Sequence, residues 1–273
     1  MCGALLLALA LGCAGETPAN HLARAAEAGS PAESPVAEPV DARCALPDRP
    51  TAVHRTGADV LLVWELPAGR PYDQPVLPGD SAFLAYRAAV RADGADLERP
   101  VADRPEPATP EEAAIWRDED FNADLAHGGS AGTIAPITCL DALLFAHQNR
   151  RVSQLERPTE FIASVLVREA AETPAVAVVF GAGEEMFPPR SVYGFEVVGR
   201  YLAEGWRYAY LLHNHTLQRN GSRLALGTPA PSTSDVRLLR SLVADLGLEG
   251  ARVTNGFYTF AVPAEDLPRF RAR

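Results

Sequence analysis

The chain contains no lysine, so all 25 of its basic residues are arginine. Acidic residues number 35, and the formal net charge is −10 at pH 7. A protein that binds nucleic acid through the phosphates needs a basic face, because it must displace the counterions that surround them. The small number of positive charges therefore argues against general nucleic-acid binding, and we expect no nucleic-acid partner.

Long hydrophobic runs are also missing from the sequence. The apolar segment at residues 4–12 is too short to span a bilayer as a permanent helix, but it suits the apolar core of a secretion signal. The small residue Gly12 precedes Cys13, an arrangement that resembles the lipobox of bacterial lipoproteins. This resemblance implies that residues 1–12 are a signal peptide and that Cys13 is lipidated. The protein would then be exported and held at a membrane of the cell envelope, on its periplasmic or outer-membrane side; an ordinary cleaved signal is the alternative.

Cysteine is scarce, with four residues in the chain. If the signal peptide is removed and Cys13 carries lipid, Cys44 and Cys139 remain. Two cysteines in an exported domain suggest one disulfide, which would join the start of the domain to its middle. Two buried free thiols are the alternative, and too few cysteines remain for a Cys-based zinc site.

Composition divides the rest of the chain into three parts. Residues 13–45 are rich in alanine, proline, glutamate and serine, which predicts a disordered tether because so few apolar groups cannot offset chain entropy. Residues 46–133 form an N-terminal region without a recognisable motif, and they include a proline-rich stretch at 98–112 that reads as an exposed loop. Residues 134–273 have the regular apolar spacing of a folded domain.

The apolar pattern predicts an α/β fold, with a mixed β-sheet flanked by helices. The strand at 160–168 has apolar residues on both faces, as a central strand requires. The other predicted strands are 59–66, 174–180, 207–213 and two short ones around a turn at 255–256; the predicted helices are 139–149, 190–204 and 232–246, with a helix or strand near 82–92.

Four residues near the end of the chain have the spacing of a metal site. His213 and His215 are two apart at the end of a predicted strand, so both rings project from one face. Ser232 and Asp235 are three apart at the start of a predicted helix, where they are neighbours on the first turn. Two imidazoles and one carboxylate, with a fourth position open, are typical of catalytic zinc. Taken separately, the histidines could be a structural pair, and capping the helix could be the sole role of the serine and aspartate.

This combination resembles the JAB/MPN (JAMM) metalloprotease superfamily, in particular its bacterial RadC-type branch. The family pattern is a glutamate on an early strand, then H-x-H after a strand, then P-S-x-x-D opening a helix. The chain supplies TEFIASVLV, LLHNHT and TPAPSTSD in this order. The resemblance covers residues 155–262, and it implies a JAB/MPN fold with the layering of cytidine deaminases.

The resemblance also implies a role for each matching residue. His213, His215 and Asp235 would bind one Zn²⁺ per chain. Glu160 would be the general base for the metal-activated water, and Ser232 would hydrogen-bond the oxyanion of the tetrahedral intermediate. The implied function is zinc-dependent hydrolysis of a peptide or isopeptide bond in a peptide or protein substrate. The alternative is a non-catalytic JAB-like module that binds a partner and retains the metal site.

Three points remain open from the sequence alone. Glu184 and Glu185, in a predicted loop, compete with Glu160 for the role of general base. The family usually has proline after the second histidine, where this chain has Thr216. The 20 positions from His215 to Asp235 exceed the family spacing, and the extra residues at 218–227 would form a loop that acts as a lid, a specificity element or a block.

Overall fold

A computed structural model describes residues 38–67, 70–94, 97, 106–168, 175–220 and 223–273. The predicted signal peptide at residues 1–12, the predicted lipidation site Cys13 and the predicted tether up to residue 37 lie outside the described residues. Among the helices of the described part, none has the length and apolarity needed to cross a membrane.

The described residues contain ten strands and five α-helices. The strands are β1 (Ala52–Thr56), β2 (Asp59–Leu66), β3 (Thr133–Pro136), β4 (Phe161–Arg168), β5 (Ala175–Ala182), β6 (Arg207–Asn214), β7 (Gln218–Asn220), β8 (Arg223–Ala225), β9 (Gly250–Thr254) and β10 (Tyr258–Pro263). The helices are α1 (Ser81–Ala92), α2 (Pro110–His127), α3 (Cys139–Arg151), α4 (Phe195–Ala203) and α5 (Thr233–Leu246), with 3-10 turns at Arg190–Val192 and Ala264–Arg269.

Eight of these strands form one sheet, in the order β1-β2-β5-β4-β6-β9-β10-β3. Neighbouring strands are antiparallel, except that β6 and β9 run parallel. Strands β7 and β8 pair with each other as a separate two-stranded hairpin. The sheet is mixed and flanked by helices, which confirms the predicted fold class.

Strand β4 lies between β5 and β6, and its side chains pack into a core on each face of the sheet. Phe161 and Ala163 pack into the core that includes the apolar side chains of α1 and α3. Ile162 and Leu166 point the other way, into the core shared with α4 and α5. The apolar residues on both faces of this strand, which predicted a central position, are therefore explained by two cores rather than one.

The N-terminal region belongs to the same sheet and not to a separate body. Strand β2 pairs with β5, with Leu62 opposite Phe180, and residues 38–273 form one compact unit. Residues 38–45, predicted as tether, lie within this unit, where Val40 bridges to Leu77 and Glu38 forms an ion pair with Arg87. The folded unit therefore begins at Glu38 and continues without a division at residue 45 or residue 133.

Two predicted elements differ from the structure for local reasons. Helix α2 occupies the end of the predicted 98–112 loop and runs beyond it; the hydroxyl of Thr109 accepts a hydrogen bond from the Glu112 N–H at 3.1 Å and caps it. The predicted 190–204 helix is broken at Gly194, which has a φ of 70°. A Cβ at Gly194 would lie 2.6 Å from a Val179 methyl carbon, so the turn needs glycine to approach the sheet.

Candidate metal centre

The two histidines lie at the C-terminal end of β6, a strand in the middle of the sheet. His213 is opposite Ile162 of β4 and Val253 of β9, and its side chain is 9% exposed. His215 follows the end of the strand, and its N–H donates to the Thr254 carbonyl oxygen at 3.0 Å. Their Nε2 atoms lie 3.2 Å apart, so the alternation along the strand does bring both rings to one face.

The carboxylate comes from the first turn of α5. Ser232 is the N-cap of this helix, and its hydroxyl accepts a hydrogen bond from the Asp235 N–H at 3.2 Å. In return, Asp235 Oδ2 accepts a hydrogen bond from the Ser232 N–H at 2.8 Å. This capping box fixes the rotamer of Asp235. The same Oδ2 atom faces the histidines, so the residue both caps the helix and completes the triad.

The three side chains could bind a metal ion. Asp235 Oδ2 lies 3.2 Å from His215 Nε2 and 3.3 Å from His213 Nε2, so the three atoms form a nearly equilateral triangle. An ion that holds tetrahedral nitrogen and oxygen ligands at about 2.0–2.1 Å keeps them about 3.3–3.4 Å apart. The triangle therefore has the size that such an ion requires, with a fourth position open.

A backbone contact selects the metal-binding tautomer of His215. Its Nδ1 lies 2.7 Å from the Thr228 carbonyl oxygen, which can only accept a hydrogen bond, so Nδ1 carries a proton. The neutral ring then presents the lone pair of Nε2 to His213 and Asp235. Hydrogen bonds of this kind orient histidine ligands in known metal sites.

His215 and Asp235 each change the pKa of the other. Burial lowers the pKa of His215, but the hydrogen bond and charge of Asp235 outweigh burial and raise the pKa to about 9. Burial raises the pKa of Asp235, yet the two histidines hold it well below its usual range. A proton on Nε2 of His215, where it faces Asp235, occupies the lone pair that a metal ion would use. Metal and proton therefore compete for the site.

Glu160 stands beside the triad. Extending the β4–β6 register from Ile162 and His213 places Glu160 opposite His215. Burial raises the pKa of Glu160, the two histidines lower it, and Asp235 raises it again, so the carboxyl group is within electrostatic reach of all three ligands. Its side chain lines the same cleft as the triad.

The competing glutamates are not at this site. Glu184 and Glu185 are exposed, and Glu184 forms an ion pair with Arg157 at 2.8 Å. Neither residue lines the cleft that holds the triad. Among the three glutamates considered from the sequence, the structure therefore brings only Glu160 to the triad.

The cleft around the triad has a volume of about 1100 Å³. One wall is the segment from Phe187 to Phe195, and the other includes residues 226–228, which follow the β7–β8 hairpin. Ser232 lines the cleft, with its hydroxyl 2.9 Å from that of Ser234. Of the extra residues at 218–227, Leu226 and Gly227 therefore line the cleft.

Sequence patterns did not reveal the residues that support the triad. Thr228 holds His215 from the far end of the hairpin. The Asn255 side chain donates to the Gly227 carbonyl oxygen at 3.3 Å and so ties that segment to the turn between β9 and β10. Asn214 lies between the two histidines in the sequence, and no pattern there indicates a role for it.

Cys44 and Cys139 lie in the core on the side of the sheet that α1 and α3 cover. Cys44 and Cys139 are joined by a disulfide, with their Cα atoms 5.7 Å apart. Both side chains are buried, and the bond attaches the N-terminal segment to the first residue of α3.

No protein-family model, no curated protein and no solved structure matches this chain. The resemblance to the JAB/MPN superfamily therefore stays a prediction, and its support is the set of residues described above.

Proposed function

We propose that the protein is a zinc-dependent hydrolase that cleaves a peptide or isopeptide bond in a peptide or protein substrate. The observation that carries the proposal is the convergence of His213, His215 and Asp235 on one point, with Glu160 beside them in the same cleft. Two neutral imidazoles and a carboxylate suit zinc among the divalent ions, and three protein ligands are typical of its catalytic sites.

A divalent ion held by the triad would supply Lewis-acid activation of a water molecule and of the scissile carbonyl group. Glu160 accepts the proton of the attacking water and delivers it to the leaving amine. Burial raises the pKa of this carboxyl group in the protein without metal, and a raised pKa favours uptake of the proton.

We assign stabilisation of the oxyanion to Ser232. Its oxygen accepts the Asp235 N–H, so its own hydrogen is free to donate either to Ser234 or to a substrate oxygen in the cleft. An oxyanion donor of this kind contributes about 3–4 kcal/mol to lowering the barrier. Ser232 therefore combines the capping of α5 with a catalytic role.

We place this activity in the cell envelope of a bacterium. The support is the apolar segment at residues 4–12 and the lipobox-like Cys13. Residues 14–37 would then separate a lipid on Cys13 from the folded unit that begins at Glu38. The acidic net charge of −10 supports a protein or peptide substrate rather than nucleic acid.

Metal content and cleavage of a peptide library test the proposal together. We expect purified protein without affinity-tag histidines to contain one zinc per chain, and the His213→Ala/His215→Ala double variant to contain none. Glu160→Gln should keep its zinc and lose hydrolysis by at least about 100-fold. The matched control is Glu184→Gln, an exposed glutamate outside the cleft, which should retain both zinc and activity.

Zinc retained in the double histidine variant would refute the site. Hydrolysis by Glu160→Gln at the rate of the unmodified protein would refute the assignment of the base. A protein that binds zinc through the triad and cleaves no member of the library would instead be the non-catalytic binding module.

A further inference from the structure

The residue between the two histidines contacts the backbone on both sides of Glu160. Asn214 alternates to the opposite face of β6 and is fully buried. Its Oδ1 accepts a hydrogen bond from the Phe161 N–H at 2.7 Å. Its Nδ2 donates to the Thr159 carbonyl oxygen at 3.0 Å. The amide therefore spans the three-residue segment of which Glu160 is the centre.

We propose that Asn214 is a positioning residue that holds Glu160 at the metal centre. The inference rests on the proposed function, since it concerns the residue assigned there as the base. It assigns a second task to the H-N-H motif: the outer residues face the metal, and the middle residue fixes the base relative to them.

The position of Glu160 in the fold explains why such a residue is needed. The regular pairing of β4 with β6 ends at Ile162 and His213, so residues 159–161 lie just beyond that pairing, although Phe161 still pairs with Ala182 of β5. The Glu160 N–H donates to the Met186 carbonyl oxygen at 2.7 Å, in a loop where the Met186 and Phe187 side chains are exposed. The hydrogen bonds from Asn214 take the place of further β4–β6 pairing at this point. They come from β6, the strand that also contains His213.

The amide group suits this task better than other side chains. Asparagine offers one donor and one acceptor on a short side chain, and here each has a backbone partner of the opposite kind. Aspartate keeps the acceptor for Phe161 and, when ionised, loses the donor for Thr159. Alanine loses both and leaves two buried backbone groups without their present partners, which frees the segment to move.

Another buried asparagine provides a matched control. Asn122 on α2 accepts a hydrogen bond from the Arg271 N–H at 2.7 Å and donates to the Arg271 carbonyl oxygen at 2.9 Å. It is fully buried, as Asn214 is, but its partners are the C-terminal segment and, at 3.4 Å, the carbonyl oxygen of Pro231 before Ser232, and not the segment around Glu160. Substitution of Asn122 tests the cost of breaking a buried amide clamp elsewhere in the protein.

The first experiment is a double-mutant cycle on the zinc-loaded full-length protein. We expect Asn214→Ala to keep one zinc per chain, to leave KM within about twofold and to lower kcat by roughly 10–100-fold, the effect of a misplaced catalytic group. In a Glu160→Gln background the same substitution should change the residual rate less than twofold. Asn214→Asp should give an intermediate loss, and any loss of kcat in Asn122→Ala, whose side chain contacts Pro231 before Ser232, should be the same with and without Glu160. An equal loss of rate from Asn214→Ala with and without Glu160 would overturn the proposal.

The second experiment does not depend on turnover. The protein is labelled with carboxyl-¹³C glutamate and loaded with cobalt(II), and the Glu160 signal is assigned by its disappearance in Glu160→Gln. We expect Glu160 to show the strongest paramagnetic relaxation among the glutamates, and Asn214→Ala to reduce it at least twofold. Unchanged relaxation in Asn214→Ala, or failure of cobalt to bind, would refute the positioning role. If the unmodified protein binds cobalt but cleaves nothing, the proposed function fails while this measurement still decides the role of Asn214.

Discussion

The pKa of His215 predicts two opposite responses to pH. As the pH rises, the stability of the metal-free protein should fall and its affinity for metal should increase. When the metal is removed by chelation, Asp235 stabilises the protonated ring at 3.2 Å and raises the pKa of His215 to about 9 from an ordinary 6.5. The folded state then binds a proton more tightly than the unfolded chain does. This contribution to stability is fully present below pH 6.5 and is lost as the pH rises through 9.

The size of the effect follows from the shift. A difference of about 2.5 pKa units corresponds to about 3 kcal/mol, at about 1.4 kcal/mol per unit. For a folded unit of this size the change lowers the melting temperature by roughly 6–12 °C between pH 6 and pH 9.5. Calorimetry of the chelated protein across this range measures it directly, and His215→Gln should remove the dependence.

Metal binding should show the reverse trend. The His215 ring must lose its Nε2 proton before it can ligate, so each pH unit below 9 should weaken the metal affinity about tenfold. Titration calorimetry near pH 7.5, in two buffers with different ionisation enthalpies, should detect one proton released per metal bound. The exposed His54 supplies a control, because His54→Gln should alter neither trend. Stability of the chelated protein that stays flat from pH 6 to 9.5, or metal binding without proton release, would refute the reasoning.

Three further predictions follow from single contacts. Ser232→Ala should lower kcat by about 100–1000-fold through loss of the oxyanion donor and the unfolding free energy by about 1 kcal/mol through loss of the cap; equal kcat in steady-state kinetics would exclude the catalytic role. Gly227→Ala should weaken metal affinity, because a Cβ there would lie 2.6 Å from the His215 Cβ, whereas Gly199→Ala, which meets nothing within 4 Å, should not; competition with a chromophoric chelator measures both. Cys44→Ser should lower stability by about 5 kcal/mol, because the disulfide closes a loop of 95 residues and restricts the unfolded chain; denaturant unfolding that differs by under about 1 kcal/mol would contradict this.

The candidate metal ligands could be predicted because their geometry is local. Two residues that are two apart on a strand share a face, and two that are three apart share the first turn of a helix. These rules hold wherever the elements lie in the fold. The central position of β4 was also readable, since apolar residues on both of its faces require cover on both sides.

The departures from prediction have non-local causes. Helix α2 buries few of its side chains, so its sequence has no strong apolar period to detect. The break at Gly194 depends on the close approach of Val179, which no window around the glycine contains. Residues 38–45 have the composition of a tether, yet Arg87 and Cys139 hold this segment against the folded unit.

By itself, the sequence determined the α/β class, the pairs His213–His215 and Ser232–Asp235, and the chemistry those side chains can perform. Only the tertiary structure decided that Glu160 rather than Glu184 stands beside them, and that Thr228 and Asn214 hold the site in place. The physical reason is the range of the contacts. The position of Glu160 depends on strand register and on hydrogen bonds to Asn214, which is more than fifty residues away in the chain, and only folding brings such groups within bonding distance.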